Sequence, residues 1–239
     1  MILNRNVSRL EAFSDAIFGF AATLLVVSLE PPASYQELVA NVRGFAAFAF
    51  SFATLVLLWA VHNAYFRRYE IEDATTIVLN AVFLFVVVFY VYPLRYAMTT
   101  ATAYFLGGIV PLPLEPLTNA QLANMFALYG IGWTAAFACV ALMYLHARRR
   151  RDVLGLDDLA AYDAGTHACH YAMFVLVGLV SVALALGEVG VRYGVPGHAY
   201  VLLGPSCWWN GARRARGRAA RATADGSRAP AAAAATLTS

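Results

Sequence analysis

The chain contains six apolar runs, at about residues 12–29, 45–61, 74–94, 120–145, 168–187 and 195–209, and among them they hold a single Asp, Glu or Arg, Asp15. About 20 apolar residues in a helix cross the ~30 Å hydrocarbon core of a bilayer. A soluble domain could not cover so much apolar sequence, because 61% of the 239 residues are hydrophobic and only 13% are charged. The expected fold is an all-α membrane protein with six transmembrane helices per subunit over residues 1–209. The last run is the shortest of the six.

The first run lies near the N-terminus behind Arg5 and Arg9, as the apolar stretch of a secretory signal would. Asp15 interrupts it, no A-x-A-like cleavage site follows, and Pro31 and Pro32 read as a helix stop, so it is taken as a true span.

All seventeen basic residues are arginines. Arg5 and Arg9 precede the first span, Arg67 and Arg68 lie between the second and third, and Arg148 to Arg151 between the fourth and fifth. Arg213, Arg214, Arg216, Arg218, Arg221 and Arg228 follow the sixth, and only Arg43, Arg95 and Arg192 fall on the other side. This asymmetry places both termini in the cytoplasm of a multi-pass protein of the cell membrane, as an even number of spans requires.

From residue 210 to 239 the composition changes to Arg, Ala, Gly, Ser and Thr, too poor in large apolar residues for a core. This segment is expected to be a disordered cytoplasmic tail, either simply solvated or adhering to anionic lipids. Between the third and fourth spans, "GGIVPLPLEPLTN" reads as a structured turn.

The sequence offers no enzyme motif. Ser14 and Asp15 are neighbours pointing about 100° apart on a helix, which is no nucleophile and acid pair. His167 and His170 in "HACH" share a helix face, but no third metal ligand is evident. Cys139, Cys169 and Cys207 have no paired spacing and read as core thiols. Neither a cofactor nor a nucleic-acid partner is implied.

The remaining polarity lies at membrane depth. An ionisable side chain there is costly unless it faces protein or water, so Asp15 needs a partner, and within its own helix Glu11 at i−4 is repulsive. Trp59, His62 and Asn63 close the second span at the same depth, and Asn80 lies in the third. Together they are expected to form a hydrogen-bond network joining the cytoplasmic feet of three helices. On the first span Ile17, Phe20, Leu24 and Val27 form one apolar stripe, and Asp15, Gly19 and Ala22 a narrower face of small residues suited to close packing. Periodicity alone leaves the stripe facing lipid or lining a narrow path.

The stretch "RLEAFSD", with Arg9 four residues ahead of Phe13, Ser14 and Asp15, resembles the signature of the transmembrane protein 175 family, the lysosomal potassium channels and their bacterial relatives. "AIFGFAATLLVV", the W-x-x-H of Trp59 and His62, and the "LN" ending at Asn80 are similar to bacterial members, and the likeness covers residues 5 to 209. The resemblance implies a homotetrameric cation channel that favours potassium over sodium, with no metal site beyond the permeant potassium and with the first helix of every subunit lining a central pore. It also implies a constriction at Phe20, further apolar layers at Leu24 and Val27, and a hydroxyl at Thr23. Arg9, Phe13, Ser14 and Asp15 would serve packing and assembly. Bacterial relatives commonly carry isoleucine at the position of Phe20, and a ring of four phenylalanines is larger, with an electron-rich face. A coupled secondary transporter and a non-transporting scaffold are the alternatives. A carrier would be expected to show charged or broken-helix features near mid-membrane.

Overall fold

The computed structural model describes residues 8–27, 33–106 and 117–236. Arg5, Pro31, Pro32, the end of the first expected span and most of the Pro-rich turn lie outside the described residues. The chain forms helices α1 (Arg9–Val27), α2 (Tyr35–Arg43), α3 (Phe45–Phe66), α4 (Ala74–Leu106), α5 (Asn119–Arg149), α6 (Asp158–Leu186), α7 (Val195–His198) and α8 (Leu203–Thr236). By length and composition four of the described helices can cross a membrane: α3, α4 up to Ala103, α5 and α6.

The helix ends are encoded locally. Ser8 and Glu11 form a reciprocal cap on α1: the Ser8 N–H donates to Glu11 Oε2 at 3.0 Å and the Glu11 N–H to Ser8 Oγ at 3.1 Å. This S-x-x-E pattern accounts for part of the polarity that opens the first apolar helix. Thr118 and Gln121 form the same kind of cap on α5, and Asp157 caps α6. His146, Arg148 and Arg149 in the last turn of α5 complement the negative end of its dipole.

α5 and α6 run antiparallel and pack closely. A Cβ on Gly178 would lie 2.3 Å from Thr134 Oγ1, and one on Gly130 2.6 Å from Val182 Cγ2, so glycine at both positions lets the helices approach. Gly132 likewise receives the ring of Tyr90, seating α4 on α5. α3 and α1 pack against α4, and α8 packs against α6. The core between the helices is aromatic, with Phe83, Phe137, Tyr90, Tyr144 and Trp133 all buried. Large apolar residues also cover the outer faces, among them Phe85, Phe89, Leu176 and Leu179, as suits helices surrounded by lipid.

Two expectations require correction. Residues 195–209 are helical but not one continuous α-helix: α7 ends after one turn, Ala199–Leu202 is 3-10 helix, and only then does α8 begin. Gly194 in the left-handed region (φ 68°) and Pro196 in the first turn set the start of α7. The boundary at residue 210 falls inside α8, so residues 210–220 are not a structureless tail. Arg214 Nε and Arg218 Nη1 pair with Asp163 of α6 at 3.1 and 2.9 Å, and this clasp holds the start of the basic segment against the bundle.

Candidate functional site

α1 presents two different faces. Ser14, Phe18, Ala21 and Leu25, spaced four, three and four residues apart, are buried against α3 and α4. Phe13, Phe20 and Leu24 point away from the subunit, with Phe20 54% exposed, and Thr23 shares that outer surface. Ile17 and Ala22 lie between the two faces and pack on the core. The expected stripe is therefore split: Phe20 and Leu24 face outward, Ile17 leans inward, and the Val27 side chain lies outside the described residues. The small-residue face is also split, because Ala22 packs on the core whereas a Cβ on Gly19 would meet nothing within 4 Å.

The polar residues at the foot of α1 form two separate arrangements. In the first, Trp59 Nε1 of α3 donates to Asp15 Oδ1 at 2.9 Å, at an exposed position. In the second, His62 Nε2 lies 2.7 Å from Asn80 Oδ1, Asn80 Nδ2 donates to Ser14 Oγ at 3.0 Å, and Ser14 Oγ donates to the Leu10 carbonyl at 2.8 Å. With Asn80 in this orientation its oxygen can only accept, so His62 carries its proton on Nε2. All three side chains are buried, and the chain of bonds runs across α1, α3 and α4. Aromatic rings surround it: His62 stacks on Phe83 with a centroid distance of 5.4 Å and an 8° tilt, and contacts Phe66 and Phe18 at 4.7 and 5.6 Å. Leaving one member of such a network unpaired costs about 1–3 kcal/mol. Arg9 is exposed at the first turn of α1, and Asn63 is half-buried on α3.

Thr23 Oγ1 donates to the Gly19 carbonyl at 2.9 Å, so its proton is used within the helix while its lone pairs stay outward. His167 contacts Arg68, and His170 faces the Cys207 sulfur at 4.0 Å. Among the described residues no three His, Cys, Asp or Glu side chains converge as metal ligands.

Sequence reasoning missed one ionic cluster. Asp73, ahead of α4, accepts from the Thr76 N–H and hydroxyl, each at 2.9 Å, and meets His146 Nε2 at 2.7 Å and Arg150 Nε at 3.3 Å. Burial acts to raise the Asp73 pKa, but the bonds from Thr76 and His146 outweigh it and hold the carboxyl well below its ordinary range. The D-x-x-T cap at residues 73–76 was a local signal, whereas the partners on α5 were not.

The family model for the endosomal/lysosomal potassium channel TMEM175 matches residues 9–90, the stretch holding α1, α3 and the foot of α4. A protein named potassium channel from Marivirga tractuosa is 32% identical over 184 residues, covering 75% of this chain and 74% of its own. The chain belongs to the TMEM175 family. A potassium channel of Streptomyces collinus is 32% identical over 85 residues, 33% of this chain and 41% of that protein. Among solved structures, a variant of the potassium channel MtTMEM175 bound to a Nanobody-MBP fusion superposes with a TM-score of 0.78 at 28% identity, covering 90% of this chain and 97% of that one. A TMEM175 homolog from Chamaesiphon minutus shares the fold, with a TM-score of 0.56 at 23% identity over 84% of this chain and 96% of its own. The family is one of membrane channels rather than enzymes. The matched stretch of this chain includes the residues of both arrangements at the foot of α1.

Proposed function

We propose that this chain forms a potassium-permeable channel of the cell membrane, with four copies arranged so that α1 of each lines a central path and both termini lie in the cytoplasm. The observation that carries this reading is the outward face of α1. Phe20 and Leu24 are exposed on the subunit, while the opposite face is anchored by Ser14, Phe18, Ala21 and Leu25. In a membrane protein whose relatives are named potassium channels, an apolar row on an otherwise well-anchored helix suits a constriction. Four phenylalanines meeting at an axis would exclude water, and an ion passing without carbonyl ligands would have to shed part of its hydration. Potassium is less tightly hydrated than sodium and would meet the smaller barrier. Leu24 and Val27 would supply further apolar layers, and Thr23 an acceptor oxygen above the ring.

The Asp15–Trp59 bond and the Ser14–Asn80–His62 chain would hold α1 in register during conduction, serving structure rather than ion binding. Arg9 and Phe13, exposed at the same end, would meet neighbouring copies. Arg213 and Arg216 are exposed on α8, close to the exposed Trp208 and Trp209, a combination suited to anionic headgroups. Conduction would be passive and need no cofactor.

The test is flux from liposomes. Purified protein with a potassium gradient should carry current downhill without a coupled ion. Current that requires a proton or sodium gradient would indicate a carrier, and no current a scaffold.

A further inference from the structure

At the end of the bundle away from the polar network, a cavity of about 320 Å³ opens between the last third of α4, the first third of α5 and the segment 191–201. Its walls are apolar, with Ala97, Met98 and Ala101 from α4, Met125 and Phe126 from α5, and Val201. Arg192 stands exposed among the lining residues. The volume falls in the ~300–1,000 Å³ range of small-molecule sites. The α4 and α5 walls belong to membrane-crossing stretches, whereas Arg192 lies beyond the end of α6. The cavity is therefore placed to receive hydrocarbon, with a fixed cation at its edge.

The position of Arg192 is built into the backbone. Gly190 and Gly194 flank the 3-10 turn Val191–Tyr193 with φ of 59° and 68°, left-handed values that favour glycine. A Cβ on Gly190 would lie 2.4 Å from Val195 Cγ2, so the turn is also packed too closely for a larger residue. His198 Nδ1 is engaged by the Gly194 carbonyl at 2.8 Å, which ties the start of the next segment to the same turn.

We propose that this cavity binds one acyl chain of an acidic phospholipid, with Arg192 holding the headgroup phosphate. Alanines, methionines and a phenylalanine offer a smooth, adaptable wall to a methylene chain. Lipid tails outside are as apolar as these walls, so the chain gains little from hydrophobicity by entering. Selectivity must then come from the charged end, where a guanidinium bonds phosphate oxygens through two N–H groups and favours a headgroup whose phosphate charge is not balanced by an ammonium of its own. The site is separate from the α1 path and does not depend on the proposed conduction.

The experiment uses the full-length protein in phosphatidylcholine vesicles with a trace of phosphatidylglycerol carrying a photoreactive group at the end of one acyl chain. After irradiation, labelled peptides are mapped by mass spectrometry. Label should concentrate at Met98, Met125 and Phe126, above the level at the exposed Leu176 and Leu179 of α6. Ala101→Phe fills the cavity and should abolish the first set while leaving the second. Val201→Trp, at an exposed position on the rim, provides the same test should the first variant not fold. Arg192→Gln should lower cavity labelling about five-fold, to the level of a phosphatidylcholine probe with the same chain. Label at Met98 and Met125 that survives both filling variants, or equal labelling of wild type by the two headgroups, overturns the proposal.

Discussion

Phe18 and Phe20 are two residues apart on one helix, which turns their side chains about 160° from each other. Phe18 is 5% exposed and packs on His62 and Phe83, whereas Phe20 is 54% exposed on the outer surface of the subunit. Phe18→Ala should lower stability by on the order of 3 kcal/mol in thermal unfolding, without altering the reversal potential between potassium and sodium. Phe20→Ala should raise current and reduce potassium preference by about ten-fold, equivalent to ~1.4 kcal/mol of barrier difference. Leu24→Ala should act in the same direction but less. A reversal potential moved by Phe18→Ala and untouched by Phe20→Ala would mean that the wrong face of α1 had been assigned to the path. The sequence brought Asp15, Trp59, His62 and Asn80 together as polar residues at one depth, but their division into two arrangements depends on side-chain directions. Trp59 and His62, three residues apart on α3, reach different helices, Trp59 bonding Asp15 of α1 and His62 bonding Asn80 of α4, which in turn reaches Ser14.

At the scale of elements, helix existence was legible and helix connection was not. Asp73 both caps α4 and binds α5 through His146 and Arg150. Because its pKa is depressed on folding, the stabilisation is fully present above the unfolded value of about 3.9 and is lost as pH falls below that value through the folded one. Melting temperature in detergent should therefore decline on acidification below about pH 4, and Asp73→Ala should remove part of that decline. The same variant should cost on the order of 1 kcal/mol at neutral pH for the lost cap alone. An unchanged acid profile in the variant would show that other carboxyls set it. The clasp of Arg214 and Arg218 on Asp163 could not be read from composition, since an Arg- and Ala-rich segment becomes ordered only when another helix presents the carboxylate.

For the whole molecule, the arginine asymmetry predicts that residues more than a hundred positions apart lie on one side of the membrane. Reporter fusions after Ser239 and in the loop near Glu115 should give opposite signals, and equal signals would remove the even number of crossings. Four described helices meet the requirement for crossing by themselves. α1 carries Arg9, Glu11 and Asp15 within its 19 residues, and its polar end is satisfied by the Ser8–Glu11 cap and by α3. Its ability to cross therefore rests on neighbours as much as on its own apolarity.

The sequence by itself determined that this is a helical membrane protein, where most helices lie, and that it resembles the TMEM175 family. These follow from local quantities: hydropathy over about 20 residues, capping pairs three apart, and the identity of consecutive side chains. Only the tertiary structure decided which face of α1 is buried, that the stretch 195–209 is interrupted by the 3-10 turn Ala199–Leu202, and that the basic segment continues as a helix held by Asp163. In a chain apolar on every side, periodicity does not separate a packing face from a lipid or pore face, because lipid and protein interior reward the same residues. The choice falls to fit between helices, where a glycine at 130 or 178 admits a neighbour and a serine at 14 meets an asparagine 66 residues away.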